Sequence, residues 1–522
     1  MNYLNKTRGL SREFRKQLST LKIIVNKSTF VFLILTCCPL LLLAQWTQIG
    51  DDIDGESANE QSGYATCLSA DGNTIVIGAP FNADNGSASG QVRVYENVAN
   101  TWLQKGTAIN GIAISDKFGF SVNISGDGNI IAVGAPDSNA NGFESGEVRI
   151  FQFQGANWVP LGASIIGDAW GDHSGYAISL SKDGNRLAIG APDNHVVEGE
   201  GSNHGQVRIY ENQNDNWVQL GNDIIGENPE DNSGFAVSLN EDGSIVSIGA
   251  PNNTNTIQGA GHVRVYNYDA NNWVQIGEDI DGTTLNDKFG GAVSLNNQGN
   301  ILAVGAHDHN GIGQVRIFEN ITNTWVQIGN DIDGEAVGDE FGISVSLNAN
   351  GNILAVGARY NSELASDAGH TKIYRNASGN WQQIGENIDG EAIQDRSGVS
   401  VSLNANGSIV AIGAYLNDDN GNNSGHVRLF SNTNILNIDT VSTKSQLIAF
   451  PNPTSTQLNI KLEKTINQSI VQLFNVEGKL LYSKAYANTE NIAINMASFS
   501  NGIYILKIHL NDSQKILKVI KQ

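Results

Sequence analysis

A chain of 522 residues is too long for one ordinary hydrophobic core and calls for several domains or a repeat array. Its 58 glycines suit frequent tight turns, and its apolar content excludes a disordered composition. The net charge of −22 excludes nucleic acid as a partner, since a row of phosphates would meet no neutralising surface. Both ends of the chain are net basic, so the middle is more acidic than the whole. That acidic body reads as soluble surface rather than a cation store.

Residues 1–29 carry Lys6, Arg8, Arg12, Arg15, Lys16, Lys22 and Lys27, and an apolar run, Phe30–Leu43, follows. The run falls short of the roughly 20 residues a spanning helix needs. A basic region, a short apolar core and a small residue at its end predict a signal peptide over residues 1–44, cleaved after Ala44. No transmembrane segment is expected after cleavage, and Cys67 would be the one remaining thiol.

From there the chain repeats itself. The stretch Phe118–Pro136 holds an apolar run, an Asp127-Gly128 turn and a second apolar run ending in Gly134-Ala135-Pro136. Its Gly-Ala pair returns at Gly78, Gly134, Gly190, Gly249, Gly305, Gly357 and Gly413, at a period of roughly 56 residues. Each unit contains four strand-sized runs; in the second they are 118–125, 129–136, 147–151 and 157–162. The Asp-Gly pair predicts a type I′ hairpin turn. Seven small antiparallel sheets predict an all-β, seven-bladed β-propeller of four-stranded blades over residues 45–430. The Gly-Ala pairs belong where backbones converge, and the Trp that opens each fourth run (Trp102, Trp158, Trp217, Trp273, Trp325, Trp381) covers a neighbouring blade. No Trp follows Phe430, whereas Trp46-Thr-Gln-Ile-Gly50 stands alone before the first unit. This N-terminal strand is therefore expected to complete the last blade.

The Phe-Gly pairs at 118–119, 289–290 and 341–342, with Gly-Ala-Pro at 78–80, 134–136, 190–192 and 249–251, resemble the FG-GAP repeat of integrin-α propellers and bacterial surface proteins. Other units open with Ser-Gly, and three close with His307, Arg359 and Tyr415 in place of proline. In integrin-like blades an Asp-x-Asp-x-Asp-Gly loop holds calcium. The matching positions here keep at most one carboxylate, as in Asn123, Ser125 and Asp127, so a plain hairpin turn is the preferred reading and no cofactor is expected. Calcium at the Asp52–Glu56 and Asp331–Glu335 segments remains open, with a polar turn preferred there too.

A basic residue recurs on the third run (Arg93, Arg149, Arg208, Arg264, Arg316, Lys372, Arg428) and predicts a structural pair with an acid or a stack on the adjacent Trp. His307-Asp308-His309 lacks further metal ligands and reads as a loop. No nucleophile elbow, zinc-protease helix or phosphate loop is present, so an enzyme is not expected. Loops after the second and fourth runs share one face and vary in length, which is where a rigid scaffold carries its binding residues. The candidate partner-binding residues on that face are Trp170, His307, His309, Tyr360 and Tyr415.

Residues 431–445 read as a linker, and 446–522 as a basic, small Ig-like β-sandwich. Pro451-Asn-Pro453, Phe474-Asn-Val-Glu-Gly-Lys-Leu480 and Gly502-Ile-Tyr-Ile-Leu-Lys-Ile508 resemble the type A sorting domain of type IX secretion. The resemblance implies engagement of that machinery, removal of the tail, and a secreted or outer-membrane surface location. The expected function is binding of a surface protein or glycan, in adhesion or recognition. An extracellular glycan-acting enzyme and a structural surface-layer component are the alternatives. Acids along the propeller axis would favour the enzyme, and a plain Gly/Ala/Ser axis with aromatic loops would favour binding.

Overall fold

The computed structural model describes residues 46–195, 203–436, 448–450, 454–466, 469–475, 479–487, 489–510 and 513–522. These fall into two compact units that divide after Leu436. The signal peptide, its cleavage point, most of the linker and Pro451-Asn-Pro453 lie outside the described residues.

The first unit is a ring of seven antiparallel sheets, each ordered first-second-third-fourth strand from one edge to the other. The second strands explain why. Ile130–Ala135 reads Ile-Ile-Ala-Val-Gly-Ala, apolar on both faces and almost wholly buried, which suits a central strand. The third strand, Glu147–Gln154, pairs with it on one edge and with Asn157–Pro160 on the other. After Gly162 the chain returns to the third strand as a two-residue strand, Ile165–Ile166, so the outer edge of each blade is a broken strand.

Seven hydrophobic cores lie between blades rather than within them. The first joins Val76, Val92 and Val94 to Val122, Ile131 and Val133. The last joins Val427 and Leu429 to Ile75 and Ile77, across the two ends of the ring's sequence. Closure is made by the N-terminal segment: Thr47 and Gln48 pair with Ser431 and Phe430, and Ile53 and Asp54 with Val427 and His426. Trp46 then behaves as the missing tryptophan of blade seven, donating its ring N–H to the Ile384 carbonyl of blade six at 3.1 Å.

Two glycine positions fix how close the blades come. A Cβ on Gly134 would stand 2.1 Å from the Gly175 carbonyl oxygen of the next blade, and the six other Gly-Ala glycines face the next blade's opening glycine in the same way. The Gly of Gly-Ala and the Gly of Phe-Gly are therefore two halves of one contact. On the outer edge, a Cβ on Gly106 would stand 3.0 Å from the Trp158 ring, whose N–H reaches the Lys105 carbonyl at 2.7 Å. Each tryptophan is thus seated on the blade before its own.

The hairpin turns differ from expectation. In the second blade Gly128 has a positive φ of 71°, while Asp127 does not, so the turn is not type I′. It is a four-residue loop, with Gly128 N–H donating to the Ser125 carbonyl at 2.9 Å and Ser125 N–H to Ile130 at 2.8 Å. A two-residue turn would need positive φ at both positions, and Asp resists that conformation more than Gly does.

The second unit has a three-stranded sheet (Ile448–Phe450, Gln457–Ile466, Thr489–Asn495) and a four-stranded sheet (Leu480–Tyr486, Ser469–Asn475, Gly502–Leu510, Ser513–Lys521), each given in spatial order. One core, including Leu458, Ile460, Leu473, Ile494 and Leu506, packs between them.

Candidate functional site on the variable-loop face

The innermost strands have a plain lining. Apart from Asn123 and Cys67 they carry only Gly, Ala, Ser, Thr, Val, Ile, Leu and Phe, with no acid on any of the seven. Serines lace them together: Ser179 Oγ accepts from Leu239 N–H at 2.9 Å, Ser238 from Leu295 at 3.0 Å and Ser402 from Leu68 at 3.0 Å. Leu68, Ile124, Leu180, Leu239, Leu295, Leu347 and Leu403, one from every blade, line an axial cavity near the hairpin-turn face. Cys67 takes the serine position in blade one, where burial pushes its thiol pKa up.

The opposite end of the axis opens among the variable loops, and its lining changes around the ring. Tyr64, Phe120, Tyr176 and Phe235 occupy the same position in blades one to four and form an arc with neighbouring centroids 5.0, 4.9 and 4.9 Å apart. In blades five to seven that position holds Gly291, Ile343 and Val399. Those are the blades whose Gly-Ala is followed by His307, Arg359 or Tyr415 instead of proline. The two substitutions compensate: a Cβ on Gly291 would stand 2.7 Å from the His307 ring. Tyr415 closes the arc with its ring 5.5 Å from Tyr64.

Charges are paired around this mouth. Lys117 lies 2.6 Å from Asp137, His173 Nδ1 2.8 Å from Asp193, and Arg359 Nε 2.8 Å from Glu340. The Asp193 carboxylate beside it raises the His173 pKa, against the effect of burial. Burial lowers that of His307 and, with Tyr415 nearby, pushes Tyr64 up to about 12.

Beyond the mouth stands an apolar ring. Ile114, Trp170, Leu285, Val337 and Ile393 are 63, 64, 60, 85 and 66% exposed, and they share one repeat position; Ala58 and Pro229 fill the other two blades. Each sits two residues before a buried carboxylate that pins the connection from below. Asp172 accepts from Ala169 N–H at 2.8 Å, and Asp395 from Ala392 N–H at 2.8 Å. Holding the turn by its polar side leaves the apolar side chain pointing outward. Phe143 and Leu364, also exposed, add to the same face.

The five candidate residues therefore separate. Trp170 belongs to the apolar ring, with its edge toward His195 at 6.0 Å. His307 and Tyr415 belong to the mouth, and Tyr360 lies between the guanidinium groups of Arg359 and Arg396 at 5.0 and 4.7 Å. His309 belongs to the framework. It is buried with Nδ1 2.9 Å from Asp287, at the position where Asn253 and Asn361 donate to Asp231 and Asp339, each at 2.9 Å. Counting four residues on from each Gly-Ala glycine finds this series in the sequence, asparagine except for Ser138 in blade two and His309 in blade five. Counting two residues back from the recurring carboxylate finds the apolar ring, of which only the tryptophan had stood out.

The recurring basic residue of the third strand is structural, and its alternative partner is phenylalanine rather than tryptophan. Arg208 pairs with Asp168 at 2.6 Å, Arg428 with Glu391 at 3.2 Å and Lys372 with Glu335 at 2.5 Å. In blades two and five the acid is replaced by Ile112 and Thr283, and there Arg149 and Arg316 lie 3.8 and 4.1 Å over Phe118 and Phe289. Burial without a close carboxylate lowers both arginine pKa values.

In the hairpin turn of blade two the aspartate is engaged by its own loop. Asp127 accepts from Ser125 Oγ at 2.6 Å and from both the backbone and side-chain amides of Asn129 at 3.1 Å. Burial pushes its carboxyl up, but these donors outweigh it and hold the pKa below the ordinary value. The turn consumes its own carboxylate.

Residues 448–522 match the secretion system C-terminal sorting domain, and residues 104–151 match the FG-GAP repeat. The chain thus carries an FG-GAP propeller and a type IX sorting tail, and the tail marks it for export to the cell surface or beyond. No curated protein sequence matches it significantly. Among solved structures it is similar to the periplasmic gluconolactonase of Pseudomonas aeruginosa, with 14% identity, 81% of this chain and 98% of that one covered, and a TM-score of 0.44. It is also similar to the β-propeller domain of the trilobed protease from Pyrococcus furiosus (10%, 70% and 91%, TM-score 0.39) and to Chaetomium thermophilum Raptor (12%, 76% and 30%, TM-score 0.48).

Proposed function

We propose that this exported propeller is a binding protein of adhesion or recognition type, taking a surface glycan or protein on its variable-loop face. The observation that carries this reading is the ring of exposed Ile114, Trp170, Leu285, Val337 and Ile393 around an aromatic-lined mouth. Large apolar side chains at one repeat position stand mostly in water. A recognition surface is their common use. Flat aromatic faces suit sugar rings or apolar protein side chains.

No catalytic role is assigned to the mouth. Its acids face Lys117, His173 and Arg359, an arrangement for orienting a polar ligand. A glycan-cleaving site is the second reading, because Asp137, Asp193 and Glu340 stand there together with His173. Glycan-array and cell-surface binding of the secreted protein tests the proposal. Trp170→Ala combined with Val337→Ser is expected to lower binding at least tenfold with the melting temperature unchanged. Unchanged binding would reject it, and release of reducing ends from a bound glycan would favour the enzyme.

A further inference from the structure

We propose that blade seven carries a binding site for a divalent cation of the zinc or manganese class, made by Asp52, Asp54, Asp419 and His426. One ligand atom from each of these residues lies within 4.8 Å of all the others.

Strand geometry brings the four together. Asp52 and Asp54 flank Ile53, which is buried in the core between blades seven and one, so both carboxylates project to the opposite side. His426 opens the third strand of the same blade and is the direct partner of Asp54. Asp419 arrives from the variable loop between the second and third strands. The side chain of His426 is 0% exposed, and neither ring nitrogen has a hydrogen-bond partner. Its Nδ1 points into the group, 3.7 Å from Asp52 Oδ2 and 3.9 Å from Asp419 Oδ2, both too long for a hydrogen bond. Asp52 Oδ1 already accepts from Gln48, which leaves Oδ2 facing the imidazole. The nearest cation, Arg428, is engaged by Glu391 and by the Asp389 carbonyl.

Comparison between blades singles this arrangement out. Where the His426 position holds glutamine, the amide satisfies the neighbouring acid directly: Gln206 donates to Asp223 and Gln314 to Asp333, each at 2.8 Å. Histidine stands there in blades four, six and seven. Blade six has Asn387 at the position of Asp52, and blade four has Asn255 at that of Asp419. Blade seven alone keeps all three carboxylates with the imidazole. One nitrogen and three oxygens suit zinc or manganese better than calcium, which takes more ligands and prefers oxygen alone. A small contraction of the group would bring its atoms to bonding distance. The ligands come from both ends of the propeller sequence, so the cation would fasten the closing strand to the blade it completes.

The test uses the full secreted protein, stripped with chelator and titrated with zinc chloride or manganese chloride. One equivalent is expected to bind by calorimetry and to raise the melting temperature by several degrees. His426→Gln, which places the residue of blades three and five at this position, should fold and should lose at least tenfold in affinity together with the thermal increment. Retention of both in His426→Gln would overturn the proposal. So would their loss only in His262→Gln, where Glu227, His262 and Asp279 form a smaller group in blade four. Absence of any binding heat in the wild type, or binding of calcium alone, would also overturn it.

Discussion

The two faces of the propeller are built from the same repeat and behave oppositely. On the hairpin-turn face the turn aspartates Asp71, Asp127, Asp183 and Asp242 are each bound within their own loops, and Gln or Asn replaces the aspartate in the other three blades. On the variable-loop face the backbone is pinned as regularly, by Asp116, Asp172 and their equivalents, yet the side chains above it differ from blade to blade. Regular pinning below and irregular presentation above separate stability from recognition within one unit. What is constant around the ring holds it; what departs from the repeat is available to do something else.

This contrast can be broken most forcefully in the framework. Gly134→Val drives a side chain into the Gly175 carbonyl and the Ser121 hydroxyl, which stand 2.1 and 2.2 Å from the position of a Cβ. Backbone cannot give way there, so loss of more than about 4 kcal/mol is expected, visible as failure to accumulate folded protein. Trp46→Ala removes a buried ring and its bond to Ile384, at a cost of about 3–5 kcal/mol. Deletion of residues 46–50 should do at least as much, and an unchanged melting temperature would contradict closure by this strand.

A pH series sharpens the comparison next. Burial, with Lys372 nearby, lowers the His370 pKa to about 4, below the ordinary value near 6.5. The folded state therefore holds fewer protons than the unfolded one between these values. Its contribution is fully present above about pH 6.5 and is lost as pH falls toward 4, up to about 3 kcal/mol. His370→Gln should flatten the fall in melting temperature over that range, and an equally steep fall would show that the acid sensitivity lies elsewhere. Asp127→Ala on the hairpin-turn face is expected to cost about 1 kcal/mol in a denaturant titration and to leave partner binding untouched. That is the reverse of the pattern expected for Trp170 with Val337.

Much of this was open to reading from the chain. The period, the closing role of Trp46 and the glycine pairs follow from register, because a strand that must pass another backbone at contact distance admits no side chain. The exchange of proline for His307, Arg359 and Tyr415 was visible as three departures. Its meaning was not, since the exchanged positions Gly291, Ile343 and Val399 lie well before them in sequence, and Gly291 comes against His307 only once the blade is folded. His309 shows the opposite error. Beside His307 it reads as a loop residue of the binding face, yet the fold buries it against Asp287 in an asparagine's place.

By itself, then, the sequence determined the number of blades, the way the ring closes and the sorting tail, because each is written as a repeated or matched local pattern. Tertiary structure alone decided which departures from the repeat meet. The aromatic arc, the apolar ring and the group around His426 join residues tens to hundreds of positions apart. The arc and the ring of exposed residues are placed by the curvature of the closed ring and the group around His426 by strand pairing within blade seven, neither of which a local pattern encodes.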